Sequence, residues 1–336
     1  MKRILNAILL TLFFSLFFCS ASICQVIKVD AIGITVKEMD RSVKFYSVVL
    51  GFKKISDRTV QGEAYEKLQG LFGVNIRIVR MQLGDEFIEL SDYLTTGGRS
   101  IPEDSKSNDL SFQHIAIVVS DMGKAYAQLS KFNVGHVSTS PQTLPRSIPA
   151  ADGIKAFYFQ DPDKHNLELI YFPKGKGQFK WQHKTAKIFL GIDHTAIGVS
   201  NTTDSHKFYS DLLGIERKGD SWNKGTEQEH LNNVEGASLH ITGYRSAEGP
   251  GIELLQYIVP GPGKEYPADT RADDAWYWQT TLFTNDANAL YNKLKSAGYR
   301  FVSKTIIASG NNELYPRSFI VKDPDGHAML VKEQNK

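Results

Sequence analysis

RSVKFYSVVLG at residues 41–51 returns as DSHKFYSDLLG at residues 204–214, identical at seven of eleven positions at an offset of 163. A repeat of this kind decides the architecture before any single element is assigned. In both copies the apolar residues fall at helical spacing, Phe45 with Val49 and Phe208 with Leu212, and Gly51 or Gly214 supplies the stop. A β-branched run precedes each copy, at 27–36 and 188–199. Strand-like runs follow, at 74–83 with 87–90 and at 237–242 with 251–257.

A second pair of units fills the gaps. Residues 112–119 read as a strand and residues 121–132 as a helix. Then come 154–160, the turn Asp161-Pro162-Asp163 and a last strand at 167–172. The pattern recurs as 276–284, 286–297, 317–322, the turn Asp323-Pro324-Asp325 and 328–332, with the two turns offset by 162. Proline after aspartate presets a tight turn between strands. Four units result, each strand–helix–strand–strand–strand, in the order A-B-A′-B′. The segments between them agree. Residues 92–109 carry Gly97-Gly98, Pro102 and six charges; residues 172–187 hold five lysines and no acid, as a solvated linker does; residues 259–274 are rich in proline and glycine.

Composition sets the outer bounds. The 336 residues are 41% hydrophobic and 23% charged, an ordinary globular balance that excludes a disordered tail, a collagen and a polytopic membrane protein. Lysine and arginine total 39 against 37 acids, and the excess is matched by Lys2 and Arg3. No global field draws the chain to nucleic acid or to an anionic membrane.

The first 24 residues read as an address. Lys2 and Arg3 precede an apolar run from Ile4 to Phe18, broken only by Asn6, Thr11 and Ser15, and Ser20-Ala21-Ser22 follow. Fifteen or so residues are short for a bilayer span of about 20 but suit the core of a signal peptide. An uncleaved anchor is one alternative; a lipoprotein is the other, although it needs a small residue before the modified cysteine and Phe18 precedes Cys19 and Ile23 precedes Cys24. The expectation is export, periplasmic or secreted, with cleavage near Cys24-Gln25 and no membrane attachment afterwards. Both cysteines leave with that segment, which removes disulfides, cysteine–metal sites and cysteine nucleophiles from consideration. Two sequence domains remain, 25–173 (units one and two) and 188–336 (units three and four).

Four such units, with FYxxxLG in the helix and DPDxxxxEL before the last strand, resemble the vicinal oxygen chelate superfamily. That group includes glyoxalase I, methylmalonyl-CoA epimerase, extradiol dioxygenases and the bleomycin- and fosfomycin-resistance proteins. The resemblance covers nearly all of residues 27–334. It implies an α+β fold of βαβββ modules forming two glyoxalase-like domains with cup-shaped sheets, each cup built around one divalent metal. It implies less about the reaction, because the superfamily hosts many chemistries.

In that family each unit offers one ligand from its first strand and one, a glutamate, from its last. Carried over, the positions are Ala31 and Glu89, then His114 and Glu168, then His194 and Glu253, then Gln279 and Leu330. Imidazole and carboxylate suit Zn²⁺, Mn²⁺, Fe²⁺, Co²⁺ and Ni²⁺. If neighbouring units pair, each cup loses a ligand, at Ala31 in one and at Leu330 in the other. If unit two pairs with unit three, His114, Glu168, His194 and Glu253 form a complete set. Ala31, Glu89, Gln279 and Leu330 then share one poor cup. The crossed pairing explains both losses at once and resembles the fused, single-chain glyoxalase I proteins, so it is the expectation.

A metal with four protein ligands leaves two adjacent positions for a substrate with neighbouring oxygens. The implied reaction is proton transfer beside a carbonyl, as in an isomerase, epimerase or lyase, on a small molecule. Glu168 is the first choice for the base and Glu253 the second. Two alternatives stand beside this reading: an extradiol-type Fe(II) dioxygenase, and a non-catalytic binding protein of the bleomycin-resistance type. Monomer and homodimer are both compatible. His165 and His327 read as exposed turn residues, Phe45, Tyr46, Phe208 and Tyr209 as helix core, and Trp276-Tyr277-Trp278 as sheet packing on alternating faces. Arg77, Arg146 and Arg317 are candidate carboxylate clamps, each with a structural reading as well.

Overall fold

The computed structural model describes residues 25–308 and 316–334; the N-terminal segment read as a signal lies outside them. Unit one runs β1 (Val26–Val36), α1 (Met39–Val48), β2 (Lys53–Gln61), α2 (Glu63–Gln69), β3 (Asn75–Leu83) and β4 (Glu86–Tyr93). Unit two runs β5 (Gln113–Val119), α3 (Met122–Ser130), the two-residue strands β6 (Gly135–His136) and β7 (Gln142–Thr143), β8 (Lys155–Gln160) and β9 (Asn166–Tyr171). After a single 3₁₀ turn at Phe179–Gln182, unit three gives β10 (Phe189–Gly198), α4 (Thr202–His206), β11 (Glu216–Lys224), α5 (Thr226–Asn232), β12 (Ser238–Arg245) and β13 (Gly251–Val259). Unit four closes with β14 (Trp278–Thr284), α6 (Ala287–Ser296), β15 (Ile307–Ala308), β16 (Arg317–Lys322) and β17 (Ala328–Glu333).

Each unit's first helix starts on a side-chain cap, which meets N–H groups that the helix itself leaves open. Glu38 accepts from Asp40 and Arg41, Asp121 from Lys124, Asn201 from Thr203 and Asp204, and Asp286 from Ala289. The second FY helix widens after α4 into a π-helical stretch at Lys207–Leu212, closed by the Leu213 N–H on the Phe208 carbonyl.

The pairing is crossed. β1 lies antiparallel to β14, so units one and four share an eight-stranded sheet; β5 lies antiparallel to β10, so units two and three share the other, of nine strands. Every residue of β5 is buried, as is every residue of β10 from Gly191 on. Such strands belong at a sheet's centre with a neighbour on each side, here the same unit's last strand in parallel and the other unit's first strand antiparallel. One continuous core joins the helices to both sheets, including Tyr46, Phe157, Phe208, Tyr209 and Phe319. The concave faces carry separate clusters, around Leu330 in one cup and around Ala196 in the other. Among the described residues no helix is long and apolar enough to cross a membrane.

The two motifs that reveal the repeat meet in space. Tyr46 donates to Asp161 at 3.2 Å, and Tyr209 donates to Asp323 at 2.9 Å, each reaching from one sheet's helix to the other sheet's turn. His165 and His327, expected at the surface, are buried instead. The turn folds back on itself, so that His165 meets Asp161 through Nδ1 at 2.8 Å and the Ala275 carbonyl through Nε2 at 2.7 Å.

Candidate metal centre

Register places the candidate ligands in two rows across the nine-stranded sheet. Glu168, Ala116 and His194 stand abreast on β9, β5 and β10. His114, Ala196 and Glu253 stand abreast on β5, β10 and β13. Each row reads glutamate, alanine, histidine in opposite directions, an approximate two-fold relation. The alanines matter because their short side chains leave the floor between the polar ends open. All four candidates therefore lie on the concave face of one cup, although they come from opposite halves of the chain.

Ligand atoms of His114, Glu168 and His194 lie within 4.8 Å of one another, and all three residues are buried. Glu168 Oε2 is 3.1 Å from His114 Nε2 and 3.6 Å from His194 Nε2. Glu253 Oε2 lies 3.4 Å from His194 Nε2. Yet neither imidazole Nε2 makes an aligned hydrogen bond among the described residues. Buried polar atoms are ordinarily paired. A cation among these three groups would satisfy both imidazoles and the carboxylate at once. The charge balance fits as well. Burial opposes a charge on His194, but Glu253 and Asp193 outweigh it and lift the imidazole to about 9. Burial, with Glu168 next to it, raises Glu253. The cluster is thus rich in negative charge.

The two glutamates are not equivalent. The Glu168 side chain is 6% exposed and faces Tyr158 across the strand pair. The Tyr158 ring also lies 4.8 Å from that of His114. The Glu253 side chain is 29% exposed and faces Gly243, where even an added Cβ would meet nothing within 4 Å.

Behind His194 sits Asp193, buried in the β10 bulge, with a carboxylate oxygen 3.1 Å from Nδ1. Arg245 holds Asp193 at 2.5 Å, and the interunit linker contributes Trp181 Nε1 at 2.7 Å and Gln178 at 3.1 Å. Burial works against its ionisation, but His194, Arg245 and Trp181 hold the carboxyl well below the usual range. A carboxylate on Nδ1 turns Nε2 toward the ligand cluster.

The other cup repeats the rows with different chemistry. Leu330, Thr281 and Ala31 form one; Gln279, Gly33 and Glu89 form the other. Ala31 and Leu330 offer no ligand atom. Arg80 Nη1 already bridges Glu89 and Asp30, both at 2.9 Å. Burial opposes a charge on Glu89, but Lys332 and Arg80 keep it ionised. Here side chains of the protein supply the cations. Arg77 and Arg317 belong to this sheet and pair with Asp57 and Glu333. Arg146 lies outside both pairs of rows, in the loop between β7 and β8. Trp276, Tyr277 and Trp278 are all buried, Tyr277 in the cup's apolar cluster and Trp278 in the main core.

Sequence reasoning missed a polar chain at the rim of the first cup. Ser221 donates to Asn223, Asn223 Nδ2 to Gln228 Oε1 at 2.9 Å, and Gln228 to Asn232. Asn223, Gln228 and Asn232 are all buried. The signal was available by aligning units one and three, where Val60, Tyr65 and Gln69 stand at the corresponding positions.

Comparison with known proteins follows the repeat. The model of the Glyoxalase/Bleomycin resistance protein/Dioxygenase superfamily matches residues 28–169 and again 191–331. Glyoxalase I from Zea mays superposes with a TM-score of 0.60 over 92% of each chain at 18% identity. A Bacillus subtilis protein provisionally described as a dioxygenase gives 0.57 at 14% identity, over 93% of this chain and 86% of its own. At such identities the likeness concerns the fold. The uncharacterized protein YwbC of Bacillus subtilis is 29% identical over 135 residues, 40% of this chain and 90% of its own length.

Proposed function

The chain belongs to the glyoxalase/bleomycin resistance protein/dioxygenase superfamily, and from that premise we propose that it is a metal-dependent enzyme of the lyase, isomerase or epimerase kind. Its substrate is a small molecule with two neighbouring oxygens. The observation that carries this reading is the gathering of ligand atoms of buried His114, Glu168 and His194 within 4.8 Å of one another, with neither Nε2 in an aligned hydrogen bond. His114, Glu168, His194 and Glu253 hold the ion, which is Zn²⁺, Mn²⁺, Fe²⁺, Co²⁺ or Ni²⁺.

When bound, a divalent ion supplies Lewis acidity toward the paired oxygens of the substrate. The residues of the chain do the rest. Ala116 and Ala196 leave the floor clear, Asp193 fixes the ring of His194, and a glutamate accepts the proton from the carbon beside the carbonyl and returns it. The sequence ranks Glu168 first for that task. The unequal burial supports Glu253, whose carboxylate has room to swing, and leaves Glu168 as a fixed ligand with Tyr158 against it. All four residues come from one chain, so a monomer suffices for a complete site. Export rests on residues 1–24 alone and is tested by N-terminal sequencing of the secreted or periplasmic fraction.

One observation favours a second reading. The three groups within 4.8 Å are two histidines and one carboxylate, the facial set of non-haem Fe(II) oxygenases. Solvent-deuterium exchange at the carbon next to the carbonyl, measured on metal-loaded protein with small hydroxy-ketones, tests the first reading. Exchange that depends on Glu253 supports it. Oxygen uptake with iron alone, and no exchange, supports the second.

A further inference from the structure

The polar chain on α5 and β11 occurs in one cup and not in the other. In the first cup Asn223, Gln228 and Asn232 are buried in sequence, each amide passing a hydrogen bond to the next. In the second cup β2 and α2 occupy the same places, since Asn223 faces Leu239 as Val60 faces Ile76, and α5 and α2 start on matching glycines. There Val60 and Tyr65 do the packing, within an apolar cluster. At the third position the second cup keeps an amide, Gln69, also buried; at the other two the scaffold is stable without one, and burying Asn223 and Gln228 instead costs free energy that a structural role does not require.

The chain also ends on an unmet group. Asn232 gives its oxygen to Gln228, while its Nδ2, in a residue 1% exposed, makes no aligned hydrogen bond among the described residues; nor does the Tyr257 hydroxyl. Asn232 lies within hydrogen-bonding reach of the phenols of both Tyr158 and Tyr257, aligned on neither. Tyr158 in turn faces Glu168 and packs on His114, which places the unmet groups next to the ligand cluster. Phe112, Leu231, Leu239 and Leu255 form the apolar cluster around Tyr158 and Tyr257.

We infer that Asn232 and Tyr257, with Tyr158, form a subsite for a neutral oxygen of the substrate, one carried beyond the pair that meets the metal. The substrate class is then a neutral polyhydroxylated ketone, not a carboxylate or a phosphate, because this wall offers hydrogen bonds without a cation. Ser221, Asn223 and Gln228 are positioning residues that hold the Asn232 amide in one orientation. The inference rests on the metal-cup reading above and specifies what that site selects.

The test compares ligands on Mn²⁺-loaded protein by water-proton relaxation. Hydroxyacetone has only the neighbouring oxygen pair, erythrulose adds neutral hydroxyls, and 5-hydroxylevulinate adds a carboxylate remote from the pair. Erythrulose is expected to bind about tenfold more tightly than hydroxyacetone, the worth of one neutral hydrogen bond, and 5-hydroxylevulinate no more tightly. Asn232→Leu and the milder Tyr257→Phe should each bring the erythrulose-to-hydroxyacetone ratio toward one, with Mn²⁺ and hydroxyacetone affinities unchanged. A merely structural role would not move that ratio. Equal binding of the two neutral ketones by wild type, a preference for 5-hydroxylevulinate, or a ratio that survives both variants overturns the subsite while leaving the metal cup standing. Failure of the wild type to bind any of Mn²⁺, Fe²⁺, Zn²⁺, Co²⁺ and Ni²⁺ overturns the metal cup, and the subsite with it.

Discussion

Tyr46 and Asp161 belong to different sheets, yet the tyrosine hydroxyl donates to the aspartate at 3.2 Å with both groups buried. Tyr209 and Asp323 repeat the bond by the pseudo-symmetry of the chain. The bond explains why FY and DPD are the motifs that recur at one offset: they are two ends of the clamp that locks cup to cup.

Replacing Tyr46 or Tyr209 by phenylalanine removes the donor and leaves a buried carboxylate short of a partner. Each change is expected to cost about 1–3 kcal/mol. The two sites share no residues, so their costs should add. Urea unfolding of the two single variants and the double variant checks this.

His165 gives the clamp a pH dependence. Its ring nitrogens face a carboxylate and a carbonyl, both acceptors, so both must carry protons. Burial disfavours that charge, but Asp161 prevails and raises the pKa. A group raised on folding contributes its full stability below its unfolded value, about 6.5, and loses it as pH rises through the folded value. As pH rises above about 6.5, the urea midpoint of wild type should therefore fall more steeply than that of His165→Gln. Parallel profiles would show that His165 is neutral.

How much of this was legible depended on whether a signal was local. The helices and long strands showed themselves through apolar spacing, and the crossed sheets through the distribution of ligands, with Ala31 and Leu330 falling in one cup. The edge strands β2 and β11 did not, because KKISDRTVQ and ERKGDSWNK are mostly solvent-exposed and lack a buried alternate face. The seven-residue helices α2 and α5 were too short to show a period. His165 and His327 misled for another reason: a turn residue is buried only by what a distant unit lays over it, here the segment before β14 and the Tyr266 ring.

Asp193→Asn should weaken metal binding by about 10- to 100-fold with little change in fold, because His194 loses the partner that orients it. Metal-competition titration measures it. Trp181→Phe, which keeps the packing and removes one hydrogen bond to Asp193, should give a smaller loss in the same direction.

The two glutamates should separate by kind of defect. Glu253→Gln is expected to keep the metal and lose about 10²- to 10⁴-fold in turnover, the range of a lost general base. Glu168→Gln should lose metal affinity first. The reverse pattern would return the base to Glu168.

Metal content per chain is the most direct measurement. Wild type, His114→Ala, His194→Ala and Glu89→Gln would each be offered Mn²⁺, Fe²⁺, Zn²⁺, Co²⁺ and Ni²⁺ and then assayed for bound ion. The expected result is one ion in wild type and in Glu89→Gln, and none in either histidine variant, since both histidines serve one cup. Two ions, with each histidine variant losing a different one, or none in wild type, would contradict a single centre shared by units two and three.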